Sequence, residues 1–311
     1  MFDLNQIYRK VVLGVAHQTS IEHIIRNKKS IAERFVAGNT LADALDALER
    51  LRDEGILGIL DLLGEMVTTP EQAQAFTREI LRALDGLSAR NLSPQISIKL
   101  SQIGQDIRCA DGRNLSESQA ELILSKAAEM GGFVCLDMED HMRVDSTLQQ
   151  FAQLHSKFPN HIGTVLQAYL YRTENDLRIL EERAPNLRIV KGAYLEPEEV
   201  AYTDKRDVDL QYRRLVYAHM DAGHYTCVAT HDESLIEDIK LFVDRKGIAW
   251  DRFEFQMLYG VRTKLQKQLV LEGYTVRAYV PYGRDWYAYF SRRIAERPAN
   301  IGFVLRGLFK G

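Results

Sequence analysis

The sequence predicts an α/β protein of the (β/α)8 barrel class, and three observations carry that prediction. Short apolar, β-branched runs alternate with amphipathic helical stretches from about residue 55 onward. Eight such strand–helix units fill roughly 250 residues, the count and size of this barrel. No G-x-G-x-x-G turn occurs anywhere in the chain. An open doubly wound sheet, the main rival, would normally carry one.

Residues 1–54 read as a helical arm, with helical apolar spacing in IYRKVVLGV, IAERFVAG and LADALDALERLRDEG, the last closed by Gly55. Residues 55–311 form the barrel. Its strands are predicted at 56–63, 95–100, 133–138, 163–170, 187–194, 226–232, 253–258 and 275–281. Each is followed by a helix: PEQAQAFTREILRALDGL, SESQAELILSKAAEM, VDSTLQQFAQLHSKF, TENDLRILEERA, DVDLQYRRLVYAHMDAG, SLIEDIKLFVDRKG, RTKLQKQLVLEG and WYAYFSRRIAERP. Ser116, and Thr173 with Asp176, are expected as helix caps.

Composition narrows the function classes. Hydrophobic residues make up 46% and charged residues 27%, the balance of a globular chain with a sizeable core. A net charge of −3 with no basic block gives no reason to expect nucleic acid. Cys109, Cys135 and Cys227 are far apart and outside any C-x-x-C spacing, as in a reducing compartment. The N-terminus has no secretory leader, and no apolar run approaches the roughly 20 residues of a membrane span. The cytoplasm is the expected location.

In such a barrel the active site lies at the C-terminal ends of the strands. Those ends carry Glu65, Lys99, Asp137 with Glu139, Gln167, Lys191 to Tyr194, Thr230 with His231, Gln256 with Leu258, and Tyr279, while Arg188 starts the fifth run. Any one of these residues reads equally well as a solvated charge, but a polar group at nearly every strand does not. The eight histidines form no H-x-H or H-E-x-x-H pair, so a dedicated metal site is not expected. No G-x-S-x-G elbow appears. Lys99 and Lys191 leave Schiff-base chemistry of the aldolase type open. Against it stands the surplus of cations, Lys99, Arg188, Lys191, Arg292 and Arg293, which suits a large anionic cofactor and a separate carboxylate substrate. Near the C-terminus, Trp286, Tyr289, Phe290 and Arg293 share one helical stripe, with Glu296 a turn beyond Arg292.

The segments SIKLSQIG (97–104), LDMED (136–140), VLQAYL (165–170), RIVKGAY (188–194), ATHD (229–232), FEFQMLYGVR (253–262) and RAYVPYG…WYAYFSRRIAER (277–297) occur in this order. Together they resemble the motif series of the proline dehydrogenase family, bacterial and monofunctional in type. The resemblance implies an FAD-dependent enzyme on a distorted barrel, with the last helix lying over the barrel mouth. It implies oxidation of L-proline to Δ1-pyrroline-5-carboxylate, the first step of proline catabolism to glutamate, with electrons passed to a membrane quinone. By the same resemblance Lys99, Arg292 and Arg293 hold the substrate carboxylate, and Tyr279, Leu258 and Tyr194 wall the ring. Asp137 orients the cations and shares the catalytic work with Arg188. Met138, Gln167, Arg188, Lys191, Gly192, Ala193, Thr230 and His231 meet the flavin, and Glu296 backs the arginines. Peripheral contact with the inner face of the cell membrane and hand-off to pyrroline-5-carboxylate dehydrogenase follow as expectations. Only about 55 residues precede the first strand, so a multifunctional enzyme carrying the next step is not expected.

Overall fold

A computed structural model describes residues 34–64, 66–183, 185–287 and 289. Eight strands close into a barrel in sequence order: β1 (Leu57–Leu62), β2 (Gln95–Ile98), β3 (Phe133–Leu136), β4 (Ile162–Gln167), β5 (Asn186–Val190), β6 (Thr226–Ala229), β7 (Phe253–Leu258) and β8 (Val276–Tyr282). Every neighbouring pair is parallel, and β8 returns to β1 in a register that runs from Leu57 opposite Arg277 to Leu62 opposite Tyr282. Parallel neighbours need a crossover, and α2 (Pro70–Ala89), α3 (Leu115–Glu129), α4 (Val144–Lys157), α5 (Thr173–Glu181), α6 (Lys205–Asp221), α7 (Glu233–Lys246) and α8 (Thr263–Leu271) supply the seven.

The strand pleat sorts side chains by period two. Leu60, Ile96, Ile98, Leu136, Leu166, Ile189, Phe255 and Val280 join the buried helix residues in one large apolar cluster. Ile59, Cys135 and Val165, one position out of phase with it, belong to a second and smaller cluster that Tyr279 packs against. Barrel interiors are usually filled by bulky branched residues. Here the interior phase also carries Asp61, Ser97, Asp137, Arg188, Glu254, Gln256 and Arg277, all buried. Such groups persist in a core only when paired and hydrogen-bonded.

Helix α1 (Leu41–Asp53) precedes the barrel. Thr40 and Asp43 form a reciprocal capping box at its start, and Gly55 follows its end at φ +76°. It packs on β1 and β8, across the seam where the barrel closes. The approach is close: a Cβ on Gly58 would lie 2.0 Å from a methyl of Leu48. Pairing continues above the seam, where the Ala37 and Gly283 amides donate to Pro281 and Gly38.

Two expectations are corrected. Strands β2 to β6 stop two to four residues short of the predicted ends, because the chain turns into a 3-10 helix at Leu100–Ile103 or into loops that sequence patterning reads as continued strand. Lys99, Asp137, Lys191, Gly192, Ala193, Tyr194, Thr230 and His231 therefore sit on the loops that leave the strands. Ser116 and Thr173 lie inside α3 and α5 and cap neither. Ser116 donates to Gln150 of α4 at 2.7 Å, and Thr173 to the Gln167 carbonyl at 2.6 Å. Each satisfies a buried polar group instead. Among the described residues no helix is long and apolar enough to cross a membrane.

Candidate active site

Asp137 organises the mouth of the barrel. Its Oδ1 accepts from Ser97 Oγ at 2.6 Å and from Arg188 Nη1 at 2.7 Å. Its Oδ2 accepts from Tyr279 OH at 2.6 Å and lies 3.4 Å from Lys99 Nζ. Lys99 Nζ also reaches Asp61 Oδ1 at 3.1 Å and Tyr279 OH at 3.5 Å. The guanidinium of Arg188 stands over the Tyr279 ring, 5.4 Å from its centroid, and donates through Nε to Gln256 Oε1 at 2.6 Å. Two acids and two bases balance in this cluster, drawn from six strands or the residues just beyond them.

Burial sets the protonation pattern. It pushes the Asp137 carboxyl up, but Lys99, Arg188 and the hydroxyls of Ser97 and Tyr279 outweigh it and hold the group below its ordinary value. Asp61 is fully buried, and desolvation, with Asp137 nearby, outweighs Lys99 and the Tyr279 hydroxyl and pushes its carboxyl up to about 6. Burial, with Asp137 and Asp61 beside it, keeps the Tyr279 phenol well above its ordinary value and hence a donor.

A second network lies beyond β5 and β6. Lys191 Nζ is 2.5 Å from Asp209 Oδ1 and 3.1 Å from Asp232 Oδ2. Lys205 bridges the same two acids. Burial pushes Asp232 up, yet Lys191 and then Lys205 bring it far below the usual carboxylate range. Gly192 has φ +117°, and a Cβ there would fall 2.2 Å from the Tyr169 ring. His231 Nε2 accepts from the Leu258 amide at 2.9 Å, which places the proton of a neutral ring on Nδ1. Glu139 braces the first mouth loop by accepting from the Ser101 amide and hydroxyl.

Lys99, Asp137, Arg188 and Tyr279 thus converge, while Lys191 belongs to a separate network. Met138, Gln167 and Thr230 are buried, and Leu258, Ala193 and Tyr194 half-buried. Arg292, Arg293, Glu296 and Glu65 lie outside the described residues. Among the described residues the cations are matched by acids: Lys99 and Arg188 by Asp61 and Asp137, and Lys191 and Lys205 by Asp209 and Asp232. Sequence patterning does not single out Asp61, Ser97 or the buried Glu254–Arg277 pair. Their signal was the strand period, since Asp61 breaks an apolar run in phase with Ile59, and Ser97, Glu254 and Arg277 stand two residues before Lys99, Gln256 and Tyr279.

The family model described as proline dehydrogenase matches residues 44–306. The chain belongs to the proline dehydrogenase family. The proline dehydrogenase of Deinococcus radiodurans is 53% identical over 310 residues, covering 99% of this chain and all of the relative. Proline dehydrogenase 1 of Bacillus subtilis is 43% identical and covers 90% of this chain and 91% of its own. In structure the chain is similar to proline utilization A (PutA) from Bdellovibrio bacteriovorus, with a TM-score of 0.83 at 24% identity over 98% of this chain and 38% of that one, a likeness of fold. The Asp137 cluster lies toward the C-terminal ends of the barrel strands, the end at which active sites of this fold class sit.

Proposed function

We propose that this protein oxidises L-proline to Δ1-pyrroline-5-carboxylate at the Asp137 cluster, with FAD as its bound cofactor and a membrane quinone as the final electron acceptor. The observation that carries the reading is the buried, charge-balanced constellation of Asp61, Lys99, Asp137 and Arg188 beneath the barrel mouth, in a chain of this family. The Schiff-base alternative loses its footing, because each candidate lysine nitrogen is engaged with two carboxylates, the opposite of a desolvated amine nucleophile.

The buried donor set fits a flavin. Gln167 uses Nε2 on the Glu139 carbonyl, Thr230 Oγ1 accepts from the Asp232 amide, and Arg188 uses Nε and Nη1. Gln167 Oε1, the Thr230 hydroxyl proton and Arg188 Nη2 take part in none of these bonds, one acceptor and two donors. An isoalloxazine edge, with its carbonyl oxygens and N–H, takes that complement. When bound, FAD supplies the two-electron oxidant for the ring C–H.

The protein's own residues then bind and orient. Lys99, with Arg292 and Arg293, holds the substrate carboxylate, and Tyr279, Leu258 and Tyr194 close on the ring, fixing one pose. Asp137 keeps Lys99 and Arg188 in place as charged donors. The catalytic unit is the barrel of residues 55–311, and residues 1–54 precede it. With cations so well matched by acids at the mouth, Arg292 and Arg293 supply the positive charge that a carboxylate needs. Contact with the inner face of the cell membrane is peripheral, and the product passes to pyrroline-5-carboxylate dehydrogenase.

The visible spectrum of the purified protein tests this. A flavin spectrum that bleaches with L-proline, whose colour acid precipitation releases into the supernatant, is expected, with no direct reduction of NAD. A colourless protein trapped by borohydride with a keto compound would overturn it.

A further inference from the structure

A column of alternating charge descends through the barrel beneath the site. Gln256 Oε1 accepts from Arg188 Nε at 2.6 Å, and Gln256 Nε2 donates to Glu254 Oε1 at 2.5 Å. Glu254 in turn receives Arg277 through Nε at 2.7 Å and Nη2 at 2.8 Å, and Tyr225 OH at 3.1 Å. Arg277 Nη1 ends the column on the Gly58 carbonyl at 3.2 Å. Arg188, Gln256, Glu254 and Arg277 are all at most 6% exposed, so no water competes for these bonds. From top to bottom the order is Asp137, Arg188, Gln256, Glu254, Arg277.

We infer that Gln256 is a positioning residue that sets the rotation of the Arg188 guanidinium, and that the Glu254–Arg277 pair sets Gln256 in turn. An amide has one acceptor end and one donor end. Turning it over would aim its NH2 at a guanidinium and its oxygen at a carboxylate, two unmet pairs in a dry interior. A cation on one side and an anion on the other therefore leave one orientation. Glu254 and Gln256 stand two apart on β7, so the pleat aims both inward. Burial raises the Glu254 carboxyl, but Arg277 outweighs it and keeps the group ionised, an acceptor only. Arg188 is pinned at two points: Nη1 to Asp137 and Ser97, Nε to Gln256. With only the first, the fork could swing about its bond to Asp137, and Nη2 would lose its fixed aim.

The role as such does not depend on the proposed reaction, and only its kinetic arm rests on that reading. Gln256→Met keeps volume and removes both bonds. Gln256→Glu differs, because a protonated carboxyl reproduces the amide: its carbonyl accepts from Arg188 and its O–H donates to Glu254. The charged and titratable groups facing this position are Arg188 from β5, Cys227 from β6, Glu254 from its own strand, and Arg277 and Tyr279 from β8.

Hydrogen exchange of the Arg188 Nε–H, followed by nitrogen-15 NMR and assigned by its loss in Arg188→Lys, should be slow in the wild type and fast in Gln256→Met. In Gln256→Glu the exchange rate, taken as a ratio to wild type at each pH so that base catalysis cancels, should match wild type at acid pH and depart from it as the new carboxyl ionises and loses its donor bond to Glu254. Proline turnover should follow: kcat/KM falls about 10- to 150-fold in Gln256→Met, chiefly in kcat, at all pH values. Gln256→Glu should approach wild type at low pH only, a profile that a merely structural role would not produce. Retained protection of Arg188 Nε–H in Gln256→Met, or a Gln256→Glu variant whose exchange ratio to wild type does not change with pH, overturns the inference. If Gln256→Met fails to fold, the isosteric Gln256→Glu carries the test alone. A wild type inert toward proline would refute the proposed activity and leave the exchange result standing.

Discussion

Asp61 and Asp137 face one another across a single ammonium. Lys99 Nζ lies 3.1 Å from the first and 3.4 Å from the second, yet the two carboxyls shift in opposite directions. Asp137 has Arg188, Ser97 and Tyr279 besides, whereas Asp61 Oδ2 is buried with no partner among the described residues. The proximity of the two acids raises Asp61 further.

That asymmetry predicts a stability change with pH. A carboxyl raised on folding contributes its full stability below its unfolded pKa near 3.8, and loses it as pH climbs through about 6. Asp61→Asn removes this penalty while keeping shape. Denaturant unfolding should find the variant no more stable than wild type below about pH 4, and more stable by up to about 3 kcal/mol near pH 7. A constant difference across that range would mean that Asp61 does not titrate there.

Asp137→Asn keeps the outline of the side chain and removes the charge that Lys99 and Arg188 share. Proline turnover by the folded variant should drop at least about tenfold, near 1.4 kcal/mol of barrier. Since the Asp137 carboxyl is held low, the stability lost with it should be evident above about pH 4 and vanish in acid. Wild-type turnover would make Asp137 a bystander.

Arg292→Met and Arg293→Met should each lower kcat/KM for proline by about 10- to 150-fold, the worth of one charge-assisted hydrogen bond. Lysine should restore part of the loss, since a point charge cannot reproduce the planar fork. Arg183, exposed just beyond α5, is the control, and Arg183→Met should leave kinetics unchanged. Proline amide, lacking the carboxylate, should barely distinguish wild type from the two arginine variants.

Gly192→Ala tests the loop after β5. The position combines φ +117° with a Tyr169 ring 2.2 Å from any Cβ, so alanine must strain the backbone and displace the ring. A loss of about 1–3 kcal/mol in unfolding free energy is expected. Flavin affinity should fall with it, as the loop also carries Lys191. Unchanged melting would show that the loop has room.

Much of this architecture is legible in the sequence. The eight strands are legible because each presents an apolar run on its outward face, most of them rich in β-branched or aromatic residues. Lys99, Asp137 and Arg188 were picked out because a charge beside such a run is conspicuous. The buried chemistry one layer down was not. Glu254 and Arg277 sit on different strands, and only the barrel register brings them together. Asp61 hides between leucines, and whether a strand residue faces inward depends on a phase that an all-apolar stretch does not declare. Likewise Lys191 looked like spare charge because its acids, Asp209 and Asp232, arrive from α6 and the loop before α7.

Helix α1, lying over the β1–β8 seam, has a consequence for how the chain reaches its native state. On the ribosome β1 emerges among the first strands and its final neighbour, β8, among the last, so one edge of the growing sheet stays open through most of synthesis. An open edge is a template for wrong pairing. The seam is the most non-local contact in the barrel, and such contacts form slowly. Helix α1, made just before β1 and packed onto its outer face, covers that strand from the start and leaves only its edge to wait. Closure of the ring, rather than formation of any single βα unit, is then the slow event in refolding.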